Sequence, residues 1–285
     1  MILVTGATGT IGRALVPMLI DSGERVRALT RDPSRLTPRP GLDVVDGDFA
    51  DPTSLAKAVD GTHAVFLLTM PGPDVERHDL AMASAVATTD SVRTLVKLSA
   101  IGTGPPEESE FPWHHAGEEA VRASGRTWTV LRPTTFASNS LSWADAIRAG
   151  QPVPNMFGGG RQGVIDPRDI AEVAVRALTT DRHHERTYTL TGPELISTAD
   201  QVAALSEALG REIGTVDVPA DVAREQMTAT GMDPAMIDTA LRGAEIVRTD
   251  GNAVLTDDVR EILGRPATGY RVWARDHAEL FTAAG

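Results

Sequence analysis

Short apolar runs recur along the first two-thirds of the chain, and between them apolar residues return every three or four positions. The runs at 1–5, 24–30, 43–45, 63–69, 94–99, 127–131 and 187–191 have the length and β-branched content of buried strands. The stretches at 13–22, 52–59, 75–88, 114–123 and 169–178 carry the helical period. Asp51-Pro52 opens one of them: the carboxylate accepts from free first-turn N–H groups, and proline has no N–H to leave unpaired there. Asp169 is placed to cap another, Gly61 stops the helix that Asp51-Pro52 opens, and Gly125 stops the one at 114–123. Strands alternating with helices over short connections predict βαβ units, that is, a parallel sheet with helices on both faces.

The texture changes after Gly192. Ser197-Thr198-Ala199-Asp200 opens a helix that runs to Gly210, a strand-like segment follows at 212–218, and two or three further helices complete the chain. Two irregular segments, 105–110 and 151–163, are long enough to be functional loops. The second contains Gly158-Gly159-Gly160, which leaves a mobile lid and a plain surface loop both open.

Composition narrows the chemistry. The 285 residues suffice for one large domain, or a core with a smaller lobe, at ~100–200 residues per domain. With no cysteine, disulfides, thiolate catalysis and thiolate-held metals are excluded. A net charge of −12 without a basic run argues against a nucleic-acid or anionic-membrane partner. The apolar run at 64–70 is far short of the ~20 residues of a membrane span. The chain opens on a strand-like segment with no signal-peptide pattern, so a cytoplasmic protein is expected. Only two lysines, Lys57 and Lys97, stand against 25 arginines, and only two tyrosines are present, Tyr188 and Tyr270.

Gly6-x-x-Gly9-x-x-Gly12 lies between the first strand and the first helix. A tight turn there needs glycine, a backbone meeting a pyrophosphate needs no Cβ in the way, and the following helix N-terminus offers free N–H groups to phosphate oxygens. The loop is therefore expected to bind a dinucleotide through Gly6, Thr8, Gly9, Thr10, Ile11 and Gly12, although the spacing is not the standard GxGxxG. The second strand ends Leu29-Thr30-Arg31-Asp32. Arg31 stands where a guanidinium can fork onto a ribose 2′-phosphate, which predicts NADP(H) over NAD(H), with Arg13 as an assistant. Asp32 complicates this, because it can serve a ribose or pair with Arg31.

The chain resembles the atypical short-chain dehydrogenase/reductases of the NmrA-like group, nearest the branch of quinone, azo-dye and triphenylmethane-dye reductases. The resemblance covers nearly the whole chain: VTGATGTIG at 4–12, RDP at 31–33, GDFADPTSL at 47–55, LSAIG at 98–102, His114 with Glu118, SGRTWTVLRPTTFASN at 124–139, RDIAEVA at 168–174 and LTGPE at 190–194. It implies a Rossmann-like, doubly wound parallel α/β sheet with a smaller, mostly helical C-terminal part. The expected organisation is a cofactor-binding core at 1–137, a loop or lid over the active site at 138–161, a return to the core at 162–192, and a substrate part at 193–285. It also implies roles. Asp48 and Phe49 contact adenine, and Leu67, Thr69 and Met70 flank the cofactor ribose. Ser99 lies near the nicotinamide, and Pro133, Thr134, Thr135 and Phe136 close over it.

The departure from the family pattern is in the acid. Classical members carry Tyr-x-x-x-Lys, and neither Tyr188 nor Tyr270 is followed four residues later by lysine. Glu110 and His114 stand in the matching places. Hydride transfer survives this loss, because the cofactor carries the hydride and the protein chiefly orients it. A conjugated acceptor that delocalises the incoming charge suits such a site better than a simple ketone. His114 and Ser99 are the catalytic candidates, His114 as a proton donor or in the lysine's place. Against this stands a helix-stabilising His114–Glu118 pair at i, i+4, with His115 and Glu119 as a second such pair. Trp113, Trp143, Met156 and Phe157 are candidates for an apolar substrate pocket. His183-His184 reads as surface, and no third ligand stands at metal spacing, so no metal site is expected.

The expected function is an NAD(P)H-dependent oxidoreductase passing hydride to a conjugated carbonyl, quinone-like or polycyclic acceptor, as a monomer or homodimer without nucleic-acid or membrane partners. A non-catalytic NAD(P) sensor and a non-redox isomerase or epimerase are the competing readings, because fold does not fix chemistry.

Overall fold

The computed structural model describes residues 1–70, 72–105 and 112–282. In chain order the elements are β1 (Ile2–Val4), α1 (Thr10–Asp21), β2 (Val26–Thr30), β3 (Leu42–Asp46), α2 (Pro52–Val59), β4 (Ala64–Leu67), α3 (Val75–Ala87), β5 (Thr94–Leu98), α4 (His115–Arg122) and β6 (Thr127–Pro133). There follow α5 (Ala144–Arg148), β7 (Val153–Asn155), β8 (Gln162–Gly163), α6 (Pro167–Thr179), β9 (Arg186–Leu190), β10 (Leu195–Ile196), α7 (Thr198–Leu209) and β11 (Thr215–Asp217). The chain finishes with α8 (Ala220–Ala229), α9 (Pro234–Arg248), α10 (Asp258–Leu263) and α11 (Tyr270–Asp276).

Two compact units emerge: 1–133 with 167–189, and 134–166 with 190–285. The first is a seven-stranded parallel sheet in the order β3-β2-β1-β4-β5-β6-β9. The order reverses at β1, so the crevice beyond the carboxyl ends of β1 and β4 is the topological switch point where such sheets bind ligands. Helices α2, α3 and α4 pack side by side, and α1 packs on α6. Both faces of the sheet are covered, so β4 reads as a continuous apolar run whose four residues are fully buried. Leu3, Leu55, Val65, Leu67, Met82, Leu95 and Val121 form one core cluster. Each such side chain contributes about 1.5–3 kcal/mol by burial.

In the second unit β11 pairs parallel with β7, and β10 pairs antiparallel with β8. Its core gathers Val153, Leu205, Tyr270, Trp273 and Phe281. Ser197 caps α7 in a reciprocal box with Asp200, and Gly210 ends that helix at φ +63°.

The structure draws the boundaries differently from the sequence pattern. The expected core at 1–137 ends at 133, and 134–166 belongs to the second unit. Segment 138–161, expected as a loop or lid, carries a 3-10 turn (Ala137–Trp143), α5 and β7. Two of its three glycines are required by the structure: Gly158 is at φ +56°, and a Cβ on Gly160 would collide with the Val247 carbonyl. The Arg248 guanidinium donates to the Met156 carbonyl (2.6 Å), and the Arg161 N–H donates to Asp250 (3.0 Å), pinning both ends of the turn to the end of α9. Asp169 is not the cap of α6 but lies within its first turn, because that helix starts at Pro167. Loop residues 106–110, Glu110 included, lie outside the described residues.

Candidate active site

The glycine loop is built as its sequence demands. Gly6 sits at φ +63°, and a Cβ there would come within 2.8 Å of Leu68. A Cβ on Gly12 would strike the Gly6 carbonyl and lie 2.5 Å from the Ala7 Cα. Gly9 caps α1 by its backbone alone, with no side-chain bond and no acidic residue in the first turn. The loop thus offers bare backbone and the positive end of a helix dipole, the features an anionic group requires. Thr5 ties β1 to the end of β4, donating to the Leu68 carbonyl (2.9 Å) and accepting from its N–H (2.8 Å). Ile11 is buried in the core, so only its backbone can face a ligand.

Arg31 is exposed, and among the described residues no ion pair engages it. Asp32 does not pair with it. The Asp32 carboxylate accepts from the Ser34 N–H (3.1 Å) and the Ser34 hydroxyl (2.5 Å), capping the 3-10 turn Pro33–Arg35. Arg13 donates to the Thr8 carbonyl at 2.9 Å, which braces the loop. Asp48 accepts from the Ala50 N–H (2.8 Å), and the Phe49 ring stacks on His78 with centroids 5.1 Å apart. Leu67, which ends β4, is buried; beyond it Thr69 turns inward and Met70 is 73% exposed.

Beside these strand ends lie two buried polar clusters. In the first, Lys97 on β5 and Asp79 on α3 are both fully buried and form an ion pair. Asp79 also accepts from the Thr69 hydroxyl (3.1 Å), and Lys97 lies 3.4 Å from the Leu98 carbonyl. The His114 Nδ1 is 3.3 Å from the Lys97 ammonium and 3.8 Å from Asp79 Oδ2. Helix α4 approaches closely enough to build this because residue 117 is glycine: a Cβ there would lie 2.6 Å from the Asp79 Cβ. Burial works to raise the Asp79 carboxyl, but His114 and Lys97 together hold it below the ordinary carboxylate value. Burial lowers the His114 imidazole, Asp79 opposes this, and Lys97 reinforces it, so the ring is held below its ordinary value.

The second cluster surrounds Glu118, whose side chain is 0% exposed. It accepts from the Ser99 hydroxyl (2.5 Å), from Arg132 Nε (2.8 Å) and Nη2 (2.6 Å), and from Arg122 Nη2 (2.8 Å). Burial works to raise this carboxyl, and the bonds from Arg132 and Ser99 outweigh it, so it is held below its ordinary value. The i, i+4 pairing of His114 with Glu118 does not form. His114 ends a 3-10 turn (Pro112–His114) before the first turn of α4, and its ring goes to Lys97 while Glu118 goes to Ser99 and Arg132.

Pro133 ends β6 in the first unit, and Thr134, Thr135 and Phe136 open the second. The Thr134 hydroxyl donates to the Gly163 carbonyl and that of Thr135 to Gln162 (2.5 Å), while Phe136 bridges to Ile165. The four apolar-pocket candidates do not share a unit. Trp113 belongs to the first, and Trp143, Met156 and Phe157 to the second, where Trp143 packs against the core. His183 is buried rather than on the surface, with its Nδ1 3.1 Å from the Tyr188 hydroxyl. Tyr270 is buried and donates to Ser140 (2.6 Å), and burial pushes its phenol up. Neither tyrosine is set up as a proton donor. Lys97 and Asp79 had no role in the sequence pattern. The signal was a lysine inside an apolar strand run and a carboxylate on the buried stripe of α3 with Val75, Met82 and Val86.

The model of a family described as NAD(P)H-binding matches residues 6–181. The chain belongs to that NAD(P)H-binding family. It is 42% identical over 284 residues, 99% of each chain, to the (4-alkanoyl-5-oxo-2,5-dihydrofuran-3-yl)methyl phosphate reductase of Streptomyces griseus. It is 35% identical over 288 residues, the full length of both chains, to the NAD(P)H azoreductase of Xenophilus azovorans. The fold matches that of the NADPH-dependent quinone oxidoreductase of Escherichia coli, solved with NADPH, at a TM-score of 0.83 and 19% identity over 97% of this chain and 99% of that one. The resemblance read from the motifs is therefore upheld, and with it an oxidoreductase on a Rossmann-like sheet.

Proposed function

We propose that this protein is an NADPH-dependent reductase of electron-poor conjugated acceptors. The fit to a dinucleotide rests on the cradle that a Cβ at Gly6 or Gly12 would fill and on the helix α1 that no side chain caps. In this reading Gly6 to Gly12 hold the pyrophosphate, Asp48 and Phe49 the adenine, and Arg31 a 2′-phosphate. The capping role of Asp32 supports this choice of cofactor, because it removes the acid that would otherwise serve a ribose hydroxyl pair. Leu67, Thr69, Met70, Ser99 and Pro133 flank the ribose and nicotinamide. The Thr69 hydroxyl is given to Asp79, so this residue contributes backbone and shape. The bound nicotinamide supplies the hydride.

One observation carries the choice of acceptor: the described hydroxyls that could protonate a simple alkoxide are engaged. The Ser99 proton is donated to Glu118, and Tyr188 and Tyr270 are bonded to His183 and Ser140. His114 remains as the donor beside the strand ends, and it is held neutral rather than as an acid. A neutral imidazole stabilises a delocalised anion by hydrogen bonding but is a poor source of a proton for a localised one. An acceptor that spreads the charge over a carbonyl or a second nitrogen is therefore favoured. The two relatives support this reading: their names describe a ring double bond conjugated to two carbonyls and an azo group. The test is loss of the nicotinamide absorbance with a panel of quinones, azo dyes, acyl dihydrofuranones and saturated ketones. Turnover confined to the conjugated members supports the assignment. Tight NADPH binding without turnover of any conjugated member overturns it.

A further inference from the structure

We infer that Lys97, fixed by Asp79, is a positioning residue that locks the His114 imidazole in the neutral tautomer carrying its proton on Nε2, and so presents a hydrogen-bond donor to the acceptor. An ammonium has donors and no acceptor. Its approach to Nδ1 at 3.3 Å therefore requires that Nδ1 be the unprotonated ring nitrogen. The competing arrangement, Nδ1–H donating to Asp79, spans 3.8 Å, beyond hydrogen-bond length. The lysine has little freedom to do otherwise. It is fully buried, its charge is met by Asp79, and its other contact is the Leu98 carbonyl of its own strand. Asp79 is held in turn by the Thr69 hydroxyl and by the contact with Gly117.

Among the described residues, the charged groups acting on His114 are Asp79 from α3, Lys97 from β5 and Glu118 from α4. Glu118 is neutralised by its arginines, so the balance between Asp79 and Lys97 decides the ring's state. With the lysine present, the imidazole stays neutral and points its proton outward from the pair. Without it, Nδ1 faces an uncompensated carboxylate and takes a proton to meet it. The ring then turns over to the Nδ1–H tautomer or becomes imidazolium. The arrangement is the imidazole counterpart of a carboxylate that sets a catalytic histidine's tautomer, with the sign of the partner reversed.

The kinetic consequence rests on the reductase reading above, whereas the tautomer does not, so the two are tested apart. Long-range ¹⁵N–¹H correlation spectra of the full-length wild-type protein, with His114→Gln to assign the ring among the seven histidines, report the tautomer directly. The expected wild-type result is a neutral Nε2–H ring that persists across the neutral range. A neutral Nδ1–H ring or an imidazolium there overturns the inference without needing any variant to fold. In Lys97→Met the ring is expected to titrate at higher pH and to shift toward Nδ1–H. Unchanged ring shifts in a folded Lys97→Met also overturn it. With a conjugated acceptor, kcat is expected to fall ~10²-fold in Lys97→Met with KM moved much less, the size of a lost proton-transfer or hydrogen-bonding group. Adding His114→Gln should then cost little more, because the two residues act as one unit. If kcat is unchanged while the tautomer moves as expected, it is the assignment of His114 to turnover that fails and not the lock.

Discussion

Glu118 is the residue on which the second cluster turns, and Glu118→Gln tests it with almost no change in shape. The wild-type carboxylate accepts four bonds, two at each oxygen. An amide can keep only one of those oxygens. Turned one way, its NH₂ faces two arginine donors; turned the other, it faces Arg132 Nε and Ser99, and only Ser99 can reverse its role. At least one charge-assisted bond is therefore lost, worth about 1.5–3 kcal/mol, and the rest lose the carboxylate charge. Breaking a fully buried ion pair costs about 3–5 kcal/mol, but Arg132 and Arg122 keep 24% and 28% of their side-chain surface and recover some hydration. The expected loss is about 2–4 kcal/mol. In urea this reads as a fall in midpoint at unchanged slope.

The pH dependence gives the experiment its sign. The folded Glu118 carboxyl is held below its ordinary value of 4.5. Its contribution is thus complete above that value and disappears as pH falls through the depressed folded value. The gap between wild type and Glu118→Gln should be constant through the neutral range and close progressively in acid. A variant within about 0.5 kcal/mol of wild type at neutral pH, the scatter of ordinary surface changes, would refute the reasoning. So would a gap that widens as the pH drops.

Three further outcomes follow from the same geometry. Gly12→Ala places a methyl against the Gly6 carbonyl, and NADPH affinity measured by nicotinamide fluorescence should weaken at least ~10-fold, the scale of about 1.4 kcal/mol. Arg31→Ala should reduce the NADPH-to-NADH affinity ratio by a similar ~10-fold while leaving NADH binding nearly unchanged, since one exposed charge-assisted contact is removed. Tyr270→Phe removes a buried hydroxyl bonded to Ser140, so thermal unfolding should show a loss of about 1–2 kcal/mol with turnover unaffected, whereas a large drop in kcat would return tyrosine to the chemistry.

Much of the first unit was legible because its signals are local. Buried parallel strands announce themselves as apolar runs such as 64–67, and Asp51-Pro52 caps α2 as read. The glycine loop was legible for the same reason, since the φ at Gly6 and the clash at Gly12 are steric facts about short segments. The polar clusters were not. His114 and Glu118 have helical spacing, but the helix starts one residue after His114, and that single residue sends the two side chains to different partners. The Lys97–Asp79 pair joins a strand to a helix 18 residues away, and nothing in either segment names the other. Each nevertheless breaks its own apolar pattern, and a charge that does so in a fully buried element must be paired. Gly158-Gly159-Gly160 left a lid and a surface loop both open for a related reason: flexibility and close packing ask for the same residue, and at Gly160 it is the Val247 carbonyl that leaves no room for a Cβ.

The central claim is hydride delivery to a conjugated acceptor, and isotope transfer tests it most directly. The protein would be incubated with NADPH deuterated at the nicotinamide C4, in separate preparations for each face, and with an acyl dihydrofuranone bearing a conjugated ring double bond. The account predicts deuterium on the ring carbon β to the carbonyls from one of the two preparations, with both carbonyl groups intact. Deuterium on a carbonyl carbon, giving an alcohol, would contradict it.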